Sequence, residues 1–259
     1  HISVDEIEPG MEAWCLTVLE GTAVQKFPLK VLSIVRNADP GRDFILVVGT
    51  DEVFKHVGSV QGCSGSPVYI EGRLAGALAA GWGQAVDPLY LVRPIKDMLE
   101  IEEAGGPAGS AVFTAEIADL LDPDSAQKRY IEAMKKTLSN RRSLLPLAVS
   151  VPDSALEPLR PAFQALGIQP VPGASAETSA QSPPDPEQMR IVPGGVLAVP
   201  LCSGDISLSA VGTATEVIGD TVFGFGHNLL GYGAIELPLS AGRVHTTVAS
   251  RAISFKFAS

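Results

Sequence analysis

From about Trp14 to Ile95, apolar and polar residues alternate in short runs, the signature of half-buried β-strands. WCLTVLEGTAVQKFPLKVLSIV alternates around Glu20-Gly21 and predicts a hairpin. Asp39-Pro40-Gly41 marks the next turn, and FILVV after it is continuously apolar, as a strand buried on both faces requires. VYIEGRLAGAL predicts a second hairpin about Glu71-Gly72, and PLYLVRPI a last strand that runs into a short helix at Pro94–Leu99.

After Ser110 the pattern changes. Asp122-Pro123-Asp124-Ser125 is a helix start signal, and AQKRYIEAMKKTLSNRR follows with helical spacing and basic residues towards its end. A second helix is predicted over 154–166, stopping at Gly167. Residues 169–187 are rich in Pro, Ser, Ala and Gly, which predicts an exposed linker. From Gly194 the β pattern returns in VLAVPL, in ISLSAVGTATEVIGDTVFGFGH around Ile218-Gly219-Asp220, and in RVHTTVASRAISFKFAS. The chain therefore divides into a β-barrel over 1–104, a helical insertion and linker over 105–190, and a second β region over 191–259. This last region holds fewer strands than a barrel of ordinary size, so the polypeptide is expected to continue past Ser259.

Composition narrows the function. With 259 residues, 46% hydrophobic and 19% charged, the chain has ample apolar surface for a core. The net charge of −10 and the lack of a basic patch with interleaved aromatics argue against nucleic acid as a partner. Cys15, Cys63 and Cys202 fit no zinc-site spacing; a Cys15–Cys202 bridge or free buried thiols both suit the count. HISVDE at the start shows no leader pattern, as does any chain that begins after a removed signal or anchor. The run 74–86 is too short and Gly-rich to span a bilayer.

Gly62-Cys63-Ser64-Gly65-Ser66-Pro67, between two strand-like runs, is the most informative stretch. Glycines let the backbone turn tightly and point amide N–H groups outward. A serine held among them can meet a substrate carbonyl together with those amides, the layout that an acyl-transfer nucleophile and its oxyanion hole need. The same composition also serves an ordinary turn. A base is needed, and four histidines are available. His1 is terminal, His56 lies in a charged FKH stretch, and His245 alternates with apolar residues in a strand. His227 ends a strand in Gly224-Phe225-Gly226-His227 with glycines on both sides, a place suited either to general-base work or to a tight barrel corner.

Taken together, the two motifs resemble the SpoIVB-type peptidases, a chymotrypsin-like serine protease family. The resembling stretches are GMEAWCLTVLEGTAVQKFPLKVLSIV, GSVQGCSGSPVYIEGRLAGALAAGW and ISLSAVGTATEVIGDTVFGFGH, somewhat over half of the chain. The resemblance implies a mainly β, chymotrypsin-like double β-barrel with a helical insertion between the barrels. It implies a serine endopeptidase that needs no cofactor or metal and acts on a protein or peptide, self-processing or signalling being its setting. Ser64, not Ser66, maps to the nucleophile and His227 to the base; the amides of Gly62 and Ser64 would form the oxyanion hole. The family's aspartate maps to Asp51, with Asp205 and Asp43 as competitors. Two departures stand out. Ser64 precedes His227, whereas the family has the two halves in the opposite order, and Cys63 stands where the family often has Met. Cys63 is thus a second candidate nucleophile, and a non-catalytic peptide-binding module on the same fold is the rival function. The expected location is extracytoplasmic: secreted, periplasmic or in the cell envelope.

Overall fold

The computed structural model describes residues 1–39, 41–103, 145–149, 153–165, 168–172, 190–202, 208–229 and 236–259. Seven strands precede residue 95: β1 (Glu12–Thr17), β2 (Gln25–Asp39), β3 (Arg42–Gly49), β4 (Val60–Gln61), β5 (Pro67–Ile70), β6 (Arg73–Gly81) and β7 (Leu89–Pro94). Six of them close into a barrel in the order β1-β2-β3-β7-β6-β5. Alternation drives the closure. Ala13, Cys15 and Thr17 of β1 point inward while Glu12 faces water, and Leu29, Ile45, Val47, Val68, Ile70 and Val92 fill the interior. The β5–β6 turn has positive φ at both Glu71 and Gly72, as a two-residue hairpin requires.

A short helix, α1 (Glu52–Val57), follows β3 and is not among the elements predicted from the sequence. Asp51 caps it, Oδ1 accepting from the Phe54 amide at 2.6 Å. Phe54 enters the barrel core, its ring 5.1 Å from Phe27 and 5.7 Å from Tyr90. The predicted helix after β7 is present as α2 (Ile95–Glu103), which buries Ile95 and Met98 with Leu74, Ala77 and Phe223.

The later strands are β8 (Leu145–Val149), β9 (Ile168–Pro172), β10 (Val196–Cys202), β11 (Leu208–Ile218), β12 (Thr221–Gly224), β13 (Ser240–Ala241), β14 (Val244–Val248) and β15 (Ser254–Ala258). They build a sheet of order β13-β10-β11-β8-β9, with β12 on β11, and a smaller sheet β14-β15-β4. The chain is mainly β, as the sequence predicts. Among the described residues the second region is an open sheet, where a second closed barrel was expected. Its last strand crosses over: β15 pairs in parallel with β4, the two residues directly before the serine motif. Val18 of the first region packs with Val196, Val244 and Ala258, so the two β regions share a core.

Two expectations need correction. Residues 168–172 are a strand paired in parallel with β8, so the linker does not begin at 169. Residues 173–189 and the helix expected after Asp122 lie outside the described residues. The helix predicted over 154–166 is broken into α3 (Asp153–Leu156), a 3₁₀ turn (Glu157–Leu159) and α4 (Arg160–Ala165). Pro158 and Pro161 each lack an amide donor, which explains the interruption. Cys15 is buried in the barrel and Cys202 exposed at the end of β10, with no disulfide between them. Among the described residues no helix is long and apolar enough to cross a membrane.

The barrel depends on the Phe54 plug. Phe54→Ala should lower stability by about 3–5 kcal/mol, since a fully buried phenyl ring leaves a cavity that its aromatic neighbours cannot fill. Denaturant unfolding followed by tryptophan fluorescence measures it; a loss below about 1 kcal/mol would mean that the site collapses freely.

Candidate active site

The serine loop is held from two sides. Within its own barrel, Gly65 donates to Leu78 at 2.7 Å, Ser66 to Cys63 at 2.9 Å, and Leu78 to Ser66 at 3.0 Å. From the second region, β11 meets the other face. The Thr213 amide donates to the Ser64 carbonyl at 2.8 Å, Thr213 Oγ1 to the Gly62 carbonyl at 2.9 Å, and Thr215 Oγ1 to the Gly65 carbonyl at 2.7 Å. Gly65 has φ +95°, and a Cβ there would stand 2.0 Å from the Thr213 carbonyl oxygen and 2.4 Å from the Phe225 nitrogen. Only glycine lets the two regions close on each other at this point.

Lys256 lies behind the loop. It is buried, and its ammonium donates to Thr17 Oγ1 at 2.8 Å and Thr213 Oγ1 at 3.1 Å. Burial pulls its pKa down, against the opposing pull of Cys63 and Cys15. Ser64 itself is half-buried, and neither its hydroxyl nor its amide makes a hydrogen bond among the described residues. Ser66, by contrast, is fully buried.

His227 follows the end of β12 through two residues of positive φ, Phe225 (62°) and Gly226 (66°). The Gly226 carbonyl accepts from buried Arg93 Nε at 2.9 Å. His227 Nδ1 lies 3.0 Å from the Asn228 carbonyl oxygen. A carbonyl only accepts, so Nδ1 carries the proton and Nε2 keeps its lone pair. Burial pushes the imidazole pKa below the ordinary histidine value, Arg93 pushes the same way, and the Asn228 carbonyl opposes. His227 and Ser64 line one cavity of ≈ 320 Å³, with Gln61, Tyr90 and Gln169 and an apolar wall that includes Leu78 and Ile253. No hydrogen bond joins Ser64 Oγ to the imidazole in this conformation.

The acid is not brought to this pair. Asp51 caps α1 and is absent from the cavity wall; its Oδ2 is buried without a hydrogen bond among the described residues. Asp43 pairs with Arg36 at 2.7 Å on the surface, and Asp205 lies outside the described residues. Cys63 is fully buried, accepts a long 3.8 Å contact from Thr17 Oγ1, and does not line the cavity. Gly62 sits at φ +92° against the Lys256 side chain. His56 is exposed on α1, and His245 Nε2 meets Ser259 Oγ at 2.9 Å. Sequence reasoning passed over Thr213, Thr215, Lys256 and Arg93, which hold the two motifs in place.

Residues 2–85 match the SpoIVB peptidase S55 family model. The matched segment includes Gly62 and Ser64; His227 lies beyond it. No curated protein and no solved structure matches the chain.

Gly65→Ala forces a methyl group into the Thr213 carbonyl. The two regions must then separate, and the melting temperature should fall by an amount equivalent to about 1–3 kcal/mol. Differential scanning calorimetry checks this, and an unchanged melting temperature would show that the seam is not tight.

Proposed function

We propose that the chain is a serine endopeptidase working through an acyl-enzyme on Ser64, a reading supported by the match of residues 2–85 to the SpoIVB peptidase family model. The observation that carries the reading is that Ser64 and His227, from different β regions, line one cavity. His227 Nε2 takes the hydroxyl proton as Ser64 Oγ attacks the scissile carbonyl. The amides of Gly62 and Ser64 receive the oxyanion. The imidazolium then gives its proton to the leaving amine, and water, activated by the same nitrogen, releases the acyl group. The Asn228 carbonyl performs the tautomer-fixing role that a carboxylate such as Asp51 fills in a triad. An extended peptide fits the end of β6, which runs on to Gly81 past Ala77, its last partner in β5.

One observation favours a second reading, a peptide-binding module on the same fold: neither a hydrogen bond between Ser64 and His227 nor a carboxylate on the imidazole is present among the described residues. A fluorophosphonate probe separates the two. Peptide mapping should find the label on Ser64, and Ser64→Ala and His227→Ala should each lose labelling and peptide cleavage by several orders of magnitude while unfolding at the wild-type temperature. An unlabelled wild-type chain would favour the binding module. Cleavage that survives in Ser64→Ala but not in Cys63→Ala would transfer the nucleophile to sulfur.

The base must be neutral to accept a proton, and the folded environment lowers its pKa. Activity should therefore persist below the ordinary histidine pKa of about 6.5. The acid limb of kcat/KM against pH measures this; a limb at or above that value would contradict the buried-imidazole assignment.

A further inference from the structure

Arg93, near the end of β7, is a buried cation with fixed neighbours from three elements. It is 8% exposed. Its Nε donates to the Gly226 carbonyl at 2.9 Å, its Nη1 lies 3.7 Å from Asp97 Oδ2 on α2, and the guanidinium sits 4.7 Å from the centroid of the Phe44 ring on β3. Burying a guanidinium is costly unless such contacts replace water. The bonded carbonyl belongs to the residue just before His227. Phe225 and Gly226 both have positive φ, a turn that needs outside support when one of the two is a bulky residue. The Gly226 amide bonds back to Gly224 at 2.7 Å, and a Cβ on Gly226 would stand 2.8 Å from the Leu78 carbonyl oxygen. Fixing the Gly226 carbonyl fixes the peptide plane from which the histidine departs.

We infer that Arg93 is the positioning residue of the histidine: it clamps the Gly226–His227 peptide to the first barrel and so aims the imidazole into the cavity of Ser64. The inference rests on the reading of His227 as general base. Arg93 does not touch the reacting atoms; it acts through the backbone and through its charge. Among the described residues, the charged and titratable groups around the imidazole are these. Arg93 of β7 opposes its protonation. Tyr90 of β7 shares the cavity and is held neutral, burial raising its pKa well above the ordinary value. The β6 atoms nearest to Gly226 belong to Ala77, Leu78 and Ala79, none of them titratable. One layer out, Asp97 offsets the Arg93 charge and is itself acted on by Arg42, Glu100 and Asp43.

The test uses the full chain as wild type, Arg93→Met, Arg93→Lys and Asp97→Asn. Two readouts are taken: the NMR titration of the His227 imidazole and the rate of fluorophosphonate labelling. Arg93→Met should raise the His227 midpoint and slow labelling by roughly a hundredfold, the scale of an ångström-sized misplacement. Arg93→Lys restores the charge, so the midpoint returns towards wild type. The rate recovers only in part, because an ammonium lacks the planar fork. Asp97→Asn leaves the Gly226 bond in place and should lower the midpoint. A purely structural arginine would move the melting temperature and leave the midpoint and rate of the folded protein unchanged, which would overturn the inference. If Arg93→Met does not fold, an unchanged midpoint in Asp97→Asn overturns it. A wild-type chain that takes no label defeats the peptidase reading alone, since the imidazole titration still reports on Arg93.

Discussion

Three carbonyl groups of the serine loop, those of Gly62, Ser64 and Gly65, find their donors on β11, about 150 residues further along the chain. Buried backbone acceptors must be satisfied, and leaving one bare costs about 1–3 kcal/mol. Thr213 and Thr215 meet that need for Gly62 and Gly65, while the Thr213 amide takes the carbonyl of Ser64 itself. The conformation that presents the Ser64 hydroxyl is therefore a property of two β regions docked together. Lys256 continues the same network behind the loop, where its ammonium bonds one threonine from each region.

The seam also fixes what can happen in the cavity. At Gly65 and Gly226 backbone passes against backbone, and Ser64 and His227 beside them line the same space. The imidazole is half-buried, its pKa is lowered, and a neighbouring carbonyl holds the tautomer that leaves Nε2 available. A carboxylate would stabilise the imidazolium more strongly; the carbonyl fixes its orientation at lower electrostatic strength. The two side chains line the same cavity without a hydrogen bond between them.

Much of the β architecture was legible in the residues. Alternation gave the barrel strands, Glu71-Gly72 and Gly219-Asp220 gave their turns, and GCSGSP and GFGH stood out because glycine on both sides of a reactive side chain is hard to explain by packing alone. The supports were not legible. Thr213 and Thr215 sit two apart in SAVGTATEV and so share a face, but nothing local says that the face meets a loop in another region. Lys256 in SFKFAS reads as a solvent-facing strand residue, and it is buried by distant partners, Thr17, Gly62 and Thr213. Asp51 shows the opposite failure. Its position before EVFKHV is a helix-cap pattern, and the local role competed with the catalytic one assigned from the resemblance. Residues 169–172 fell within a stretch read as linker for its Pro, Ser, Ala and Gly content, although β9 takes its two prolines at the edge of the sheet beside β8.

The central claim is that Ser64 and His227 act on one substrate in one cavity. A peptidyl chloromethyl ketone tests it most directly, because such a reagent alkylates the histidine only when a neighbouring serine captures its carbonyl. Peptide mapping by mass spectrometry should find alkylation at His227 in the wild-type chain and none in Ser64→Ala. Alkylation at Cys63, or equal alkylation of His227 with and without Ser64, would contradict the account.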